Sequence, residues 1–168
     1  MKTAASKGAR KRPTARKAAS KVAENSPPYV SQVCYVESSA LVAAILEGDD
    51  EALRALRGSF GFVTSELTLA ECHRALVRAM TAGRLSSDQA LRKARVLATF
   101  SNQAAVLPVS SHILERAGKP FMVEPVRTLD AIHLASMDSL EGPSGMVTVL
   151  TRDQRIRSNA TAMGFSIA

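Results

Sequence analysis

A chain of 168 residues with 46% hydrophobic content has room for one domain with an ordinary core plus a tail. With no Trp and 4% aromatics that core is aliphatic, and no apolar run is long enough to cross a bilayer. The net charge of +7 belongs to one end: eight of the 22 basic residues and one of the 15 acids precede Tyr29, so the remainder is formally neutral.

Residues 1–28 are rich in Ala, Lys, Arg, Ser and Pro without apolar periodicity, and read as a disordered basic tail ahead of a domain over 29–168. The tail has no hydrophobic stretch of the kind a secretory signal needs. Such a tail can hold phosphate backbones non-specifically, or serve only for solubility. Ser31 to Val36 reads as a buried strand ending on Glu37, and Ser38-Ser39 opens a helix to about Leu46. Gly48-Asp49-Asp50 breaks it, and Glu51 to Arg57 forms another. Phe60 to Val63 is a second strand. Thr64 and Ser65 can cap a helix from Glu66 to Ala82, along which Leu69, Leu76 and Met80 repeat at helical spacing. Glu71 lies one residue from that apolar stripe, beside Ala70, Cys72 and Ala75, an odd place for a solvated acid. Glu66, a turn earlier, reads as an N-terminal helix acid.

Ser86-Ser87-Asp88 caps the next helix, to about Phe100, whose Arg92, Lys93 and Arg95 read as a solvated or RNA-facing surface. Ala104 to Val109 contains a strand, Ser110 caps a short helix, and Gly118 to Pro125 is a loop. Thr128 can cap the apolar helix Leu129 to about Leu140, which carries Asp130 in its first turn. A turn at Glu141–Gly145 leads to the strand Met146–Leu150, which ends on Thr151-Arg152-Asp153. A helix to about Met163 and a last strand, Phe165 to Ile167, complete the chain. Alternating strands and helices predict a three-layer α/β/α fold around a central, mostly parallel sheet. Cys34 and Cys72 read as small core hydrophobes in a reduced, cytoplasmic setting. There is no P-loop and no GxGxxG motif.

Four acids stand out. Glu37 and Asp153 follow strands, at the edge of an open sheet where ligands bind. Glu71 and Asp130 lie on apolar helices. Clustered carboxylates raise one another's pKa and call for a cation. Oxygen ligands suit Mg²⁺ or Mn²⁺, which can activate a water and neutralise charge on a phosphate. His133, a turn from Asp130, reads as a packed histidine or one that supports a ligand from behind. His73 and His112 read as surface residues.

Tyr35-Val36-Glu37-Ser38-Ser39-Ala40-Leu41, Leu69-Ala70-Glu71, Arg127-Thr128-Leu129-Asp130-Ala131-Ile132-His133-Leu134-Ala135 and Leu150-Thr151-Arg152-Asp153 together resemble the PIN domain, in particular the VapC-like toxins of type II toxin–antitoxin systems. The resemblance runs from about Val33 to Ala168. The lack of a spanning apolar run predicts no membrane partner; the resemblance separately implies a Mg²⁺-dependent endoribonuclease acting on RNA, a cognate antitoxin and frequently a homodimer. It places Glu37, Glu71, Asp130 and Asp153 as the four catalytic acids, with Glu37, Asp130 and Asp153 holding the metal. Ser38 matches a small polar residue that helps order the site, and Thr151 matches the hydroxyl two residues before the fourth acid. Glu37 is a departure, since the family usually has Asp there. The added methylene moves the carboxylate by about a bond length, and Mg²⁺ tolerates little geometric error. The alternative is a catalytically weak PIN-like module that binds RNA or protein.

Overall fold

The computed structural model describes residues 33–57, 61–140 and 146–168. The proposed basic tail, the first two residues of the predicted first strand and the turn at 141–145 lie outside the described residues. Strand β1 (Val33–Val36) leads into helix α1 (Ser38–Val42), which widens into a π-helical turn over Ala43–Glu47. Gly48 ends that turn with φ 71°, a left-handed conformation that glycine adopts without strain. The ammonium of Lys93 donates to the carbonyls of Ile45 (2.6 Å) and Leu46 (3.3 Å), supplying partners at the end of the turn. Lys93 is therefore half-buried and occupied, unlike the exposed Arg92 and Arg95 on the same helix.

The chain continues through α2 (Asp50–Arg57), β2 (Gly61–Ser65), α3 (Glu66–Thr81), α4 (Ser87–Gln103), β3 (Ala105–Leu107) and α5 (Ser111–Ala117). It ends with α6 (Thr128–Asp138), β4 (Val147–Leu150), α7 (Gln154–Ala162) and β5 (Ser166–Ile167). Local chemistry sets most of the boundaries. Ser65 caps α3 through the Thr68 amide, and Ser86 and Gln89 form a reciprocal capping box on α4. Ser110 caps α5. Two expected caps differ. Thr64 belongs to β2, where its hydroxyl donates to the Val36 carbonyl at 2.7 Å. At α6 the N-cap is Arg127 with no side-chain cap, because the extended backbone there makes Thr128 already the first helical residue. Asp130 supplies the negative charge of that first turn.

The described strands form one sheet in the order β3-β2-β1-β4-β5, and every pairing is parallel. Alternation along β1 divides the core in two. Tyr35 faces a layer with Leu134, Ala135 and Met137 of α6, Val147 and Val149 of β4, and Ile156 and Ala160 of α7. Cys34 and Val36 face the other layer, with Leu41 of α1, Cys72 and Leu76 of α3, and Leu97 and Phe100 of α4. The three-layer expectation is met, and both cysteines are core residues. No helix among the described residues is long and apolar enough to cross a membrane.

Candidate active site

The strand order places the reversal of winding between β1 and β4, the position in an open parallel sheet where the two carboxyl ends splay and a ligand can enter. Val36 pairs with Leu150, and the Glu37 amide extends that ladder by donating to the Leu150 carbonyl at 3.0 Å. Glu37 and Thr151 are thereby set side by side although 114 positions separate them. The Glu37 carboxylate is the N-cap of α1 and is buried, with 2% exposure. Its Oε1 accepts from the Ser38 hydroxyl at 2.6 Å. Its Oε2 accepts from the Ser39 amide at 3.0 Å, from Thr151 Oγ1 at 2.8 Å and from the Ser39 hydroxyl. A buried carboxylate is tolerable on these terms, with donors around both oxygens.

Glu71 approaches from α3. Its Oε2 lies 2.8 Å from Nε2 of His133, which comes from α6 in the opposite layer. The same Nε2 is 3.6 Å from Oε1 of Glu37, and ligand atoms of Glu37, Glu71 and His133 all lie within 4.8 Å of one another. Burial pushes the Glu71 carboxyl up. Hydrogen bonds with His133 and Ser38, and the charges of His133 and Arg78, outweigh it and leave the group below its ordinary value. Burial, then the charges of Glu37 and Glu71, raise the neighbouring Cys72 thiol to about 12, so it is no nucleophile.

Asp130 and Asp153 form a contrasting pair. Asp153 caps α7: its Oδ1 accepts from the Arg155 amide at 2.7 Å and the Ile156 amide at 3.2 Å. Its own amide donates to Thr151 Oγ1 at 3.1 Å, which joins it to the Glu37 network. Asp130 is half-buried, and its Oδ2 is a buried oxygen with no hydrogen-bond partner. Its carboxyl is held above the ordinary range, first by burial and then by the charge of Asp153, against opposing effects from the Arg127 backbone and from Arg127 and Arg155. An orphaned buried carboxylate oxygen facing a second acid is what a cation would satisfy. The donor set is dominated by carboxylates, which suits a hard divalent ion.

The structure thus brings Glu37 and Glu71 together with Ser38 and Thr151, and sets Asp130 against Asp153 beside them, outside the 4.8 Å group. Four residues carry more than sequence reasoning gave them. Ser39 bonds Glu37, lies 3.3 Å from Thr151 Oγ1 and accepts from the Arg152 amide at 2.8 Å. Its signal was its place directly after the Glu37-Ser38 pair. His133 touches both inner acids, and Tyr35 lies behind it with its hydroxyl 3.4 Å from Nδ1. Arg152 pins the segment after β4 to Asp49, just before α2 (2.9 Å), and to Glu51 in the first turn of α2 (3.1 Å). Glu66 accepts from the Val109 amide at 3.0 Å, away from the acids. His73 and His112 are exposed.

A PIN domain family model matches residues 34–161. The chain is 36% identical over 137 residues to Ribonuclease VapC46 of Mycobacterium tuberculosis, covering 79% of this chain and 94% of that protein. Among solved structures, VapC20 of Mycobacterium tuberculosis, described as a sarcin-ricin loop cleaving toxin, superimposes with TM-score 0.57 at 22% identity over 79% of this chain and 95% of the other. VapBC2 from Rickettsia felis, bound to a DNA fragment from its promoter, gives TM-score 0.51 at 13% identity over 81% and 97%. At those identities the structural likeness is one of fold. The match to the family model over most of the chain, and to a relative over nearly that relative's whole length, shows that the chain belongs to the PIN domain family.

Proposed function

We propose that this chain is a metal-dependent endoribonuclease, the toxin of a type II toxin–antitoxin pair, built as a domain over 29–168 behind a basic tail at 1–28. The 36% identity to a protein named as a ribonuclease supports the activity, and the VapBC complex among its structural neighbours supports an antitoxin as partner. RNA is the substrate and a homodimer the working assembly. The observation that carries the reading is the unpartnered Asp130 Oδ2 set against Asp153 beside the Glu37 network.

Glu37, Asp130 and Asp153 hold Mg²⁺, with Mn²⁺ as an alternative occupant. The ion, when bound, supplies Lewis-acid chemistry, offsetting charge on the phosphate and making water a better nucleophile. Glu71, ionised at neutral pH because its carboxyl sits below the ordinary value, orients the attacking water by accepting its hydrogen bond. Ser38 and Thr151 hold the Glu37 carboxylate in one orientation. Water attack on phosphorus with departure of the 3′ oxygen leaves 3′-hydroxyl and 5′-phosphate ends.

The test is cleavage of a panel of structured and unstructured RNAs with Mg²⁺. Cleavage is lost on adding EDTA, and Asp130→Asn lowers it more than about 100-fold, beyond the 10–100-fold typical of changes outside the metal ligands. Cleavage that survives EDTA, or is unchanged in Asp130→Asn, overturns the mechanism. The second reading, a weakly catalytic binding module, is favoured by one observation: the chain's own donors surround both oxygens of Glu37, the residue that departs from the family pattern. A large gain of cleavage in Glu37→Asp would mark the native site as compromised. RNA binding lost on deleting residues 1–28, with no cleavage in either form, would support the module.

A further inference from the structure

We infer that His133 is a positioning residue that reaches from α6 across the layers of the fold, its Nε2–H clamping Glu71 of α3 beside Glu37 at the sheet edge. The inference concerns how the chain arranges its own carboxylates, and its metal-binding consequence rests on the nuclease reading above.

Glu71 stands on α3, on one side of the sheet, and Glu37 follows β1. No backbone ladder joins α3 to α6, so a side chain must set the distance between their acids. His133 is that side chain, with 1% exposure, and it lies three positions after Asp130 on the same helix. Its Nε2 sits 2.8 Å from Glu71 Oε2 and 3.6 Å from Glu37 Oε1. An ionised carboxylate only accepts hydrogen bonds, so the proton of the short contact belongs to Nε2. On the other side of the ring, Tyr35 lies 3.4 Å from Nδ1. Burial foremost, and also the charge of Glu37, keep the Tyr35 phenol protonated beside the ring. The ring is thereby held in one orientation between Tyr35 and Glu71, in the way that outer partners orient the side chains of metal sites. A rotation of α6 would move His133 and Asp130 together, so the clamp also keeps the Asp130–Asp153 pair in register with the inner acids.

Two measurements on the full-length protein test this. Long-range ¹H–¹⁵N NMR of the wild type should find a proton on Nε2 of His133; a bare Nε2 overturns the clamp. Mn²⁺ titration by calorimetry, with folding checked by circular dichroism, should show His133→Leu binding about 10–100-fold more weakly than wild type. His133→Gln, which keeps an N–H donor in reach of Glu71, should recover most of that loss. Equal Mn²⁺ affinity in His133→Leu, or a loss in His133→Gln as large as in His133→Leu, overturns the inference. If His133→Leu does not fold, the wild-type Nε2 proton and the His133→Gln titration decide. If wild type itself binds no Mn²⁺, the metal reading fails, and the NMR result alone decides the clamp.

Discussion

Glu37 and Asp130 are both acids at the start of a helix near the carboxyl edge of the sheet, yet their surroundings differ. Glu37 is deeply buried and receives four donors from Ser38, Ser39 and Thr151. Asp130 is less buried and keeps an oxygen with no partner. The charge of the first is compensated by the protein itself. The second faces another acid, and its carboxyl is driven above the ordinary range by burial and by Asp153. The difference separates two jobs that a row of four acids conceals: one region is preorganised at the folding stage, and the other stores an unmet electrostatic demand.

The largest expected break in this contrast comes from ion binding. Saturating Mg²⁺ at 100 times its dissociation constant should stabilise wild type by about 2.7 kcal/mol, a shift of about 5–10 °C in Tm for a domain of this size. Asp130→Asn should lose that shift in a thermal melt; a full shift in the variant would place the ion elsewhere. The preorganised region is probed by Ser39→Ala, which removes a donor from Glu37 and leaves the Arg152 amide without its acceptor. The cost should be about 1–3 kcal/mol in chemical denaturation without metal, and a cost near zero would mean water replaces the hydroxyl freely.

The smallest effect sharpens the unmet demand. An acid with a raised folded-state pKa destabilises the fold above that pKa and is neutral below its unfolded value, which for Asp is about 3.8. Metal-free Asp130→Asn should therefore melt above wild type near neutral pH, and the gain should fade as pH falls through the folded-state pKa of Asp130. With a partly exposed group the gain is below about 1 kcal/mol after screening, or under about 4 °C. A gain that persists at low pH would assign it to packing rather than charge.

Strand periodicity, the Gly48 break and the alternation of elements made the sheet legible in the sequence. So were the apolar setting of Asp130 and the position of Glu37 after the first strand. Asp153 was legible for the same reason, an acid just past the end of a buried run. The roles of Ser39, Tyr35 and His133 were not, because each depends on contacts between elements far apart in the chain. His133 faces apolar neighbours on its own helix and finds Glu71 only across the layers, which no spacing along α6 encodes. Nor did local pattern foretell the π turn at Ala43–Glu47, whose carbonyl partner is the ammonium of Lys93, 48 positions away.

The join between Glu37 and Thr151 spans 114 positions, with β2 and β3 wound outward between its two sides. A ribosome-bound chain that has emerged only through α5 holds the first acid without the strand, hydroxyl and cap that complete its surroundings. Contacts this distant along the chain close slowly, because the loop entropy comes before the reward. The acids therefore become a site only once β4 has paired with β1, and a fragment truncated before β4 carries three of the four acids without the Thr151 hydroxyl and Asp153 that complete the cluster.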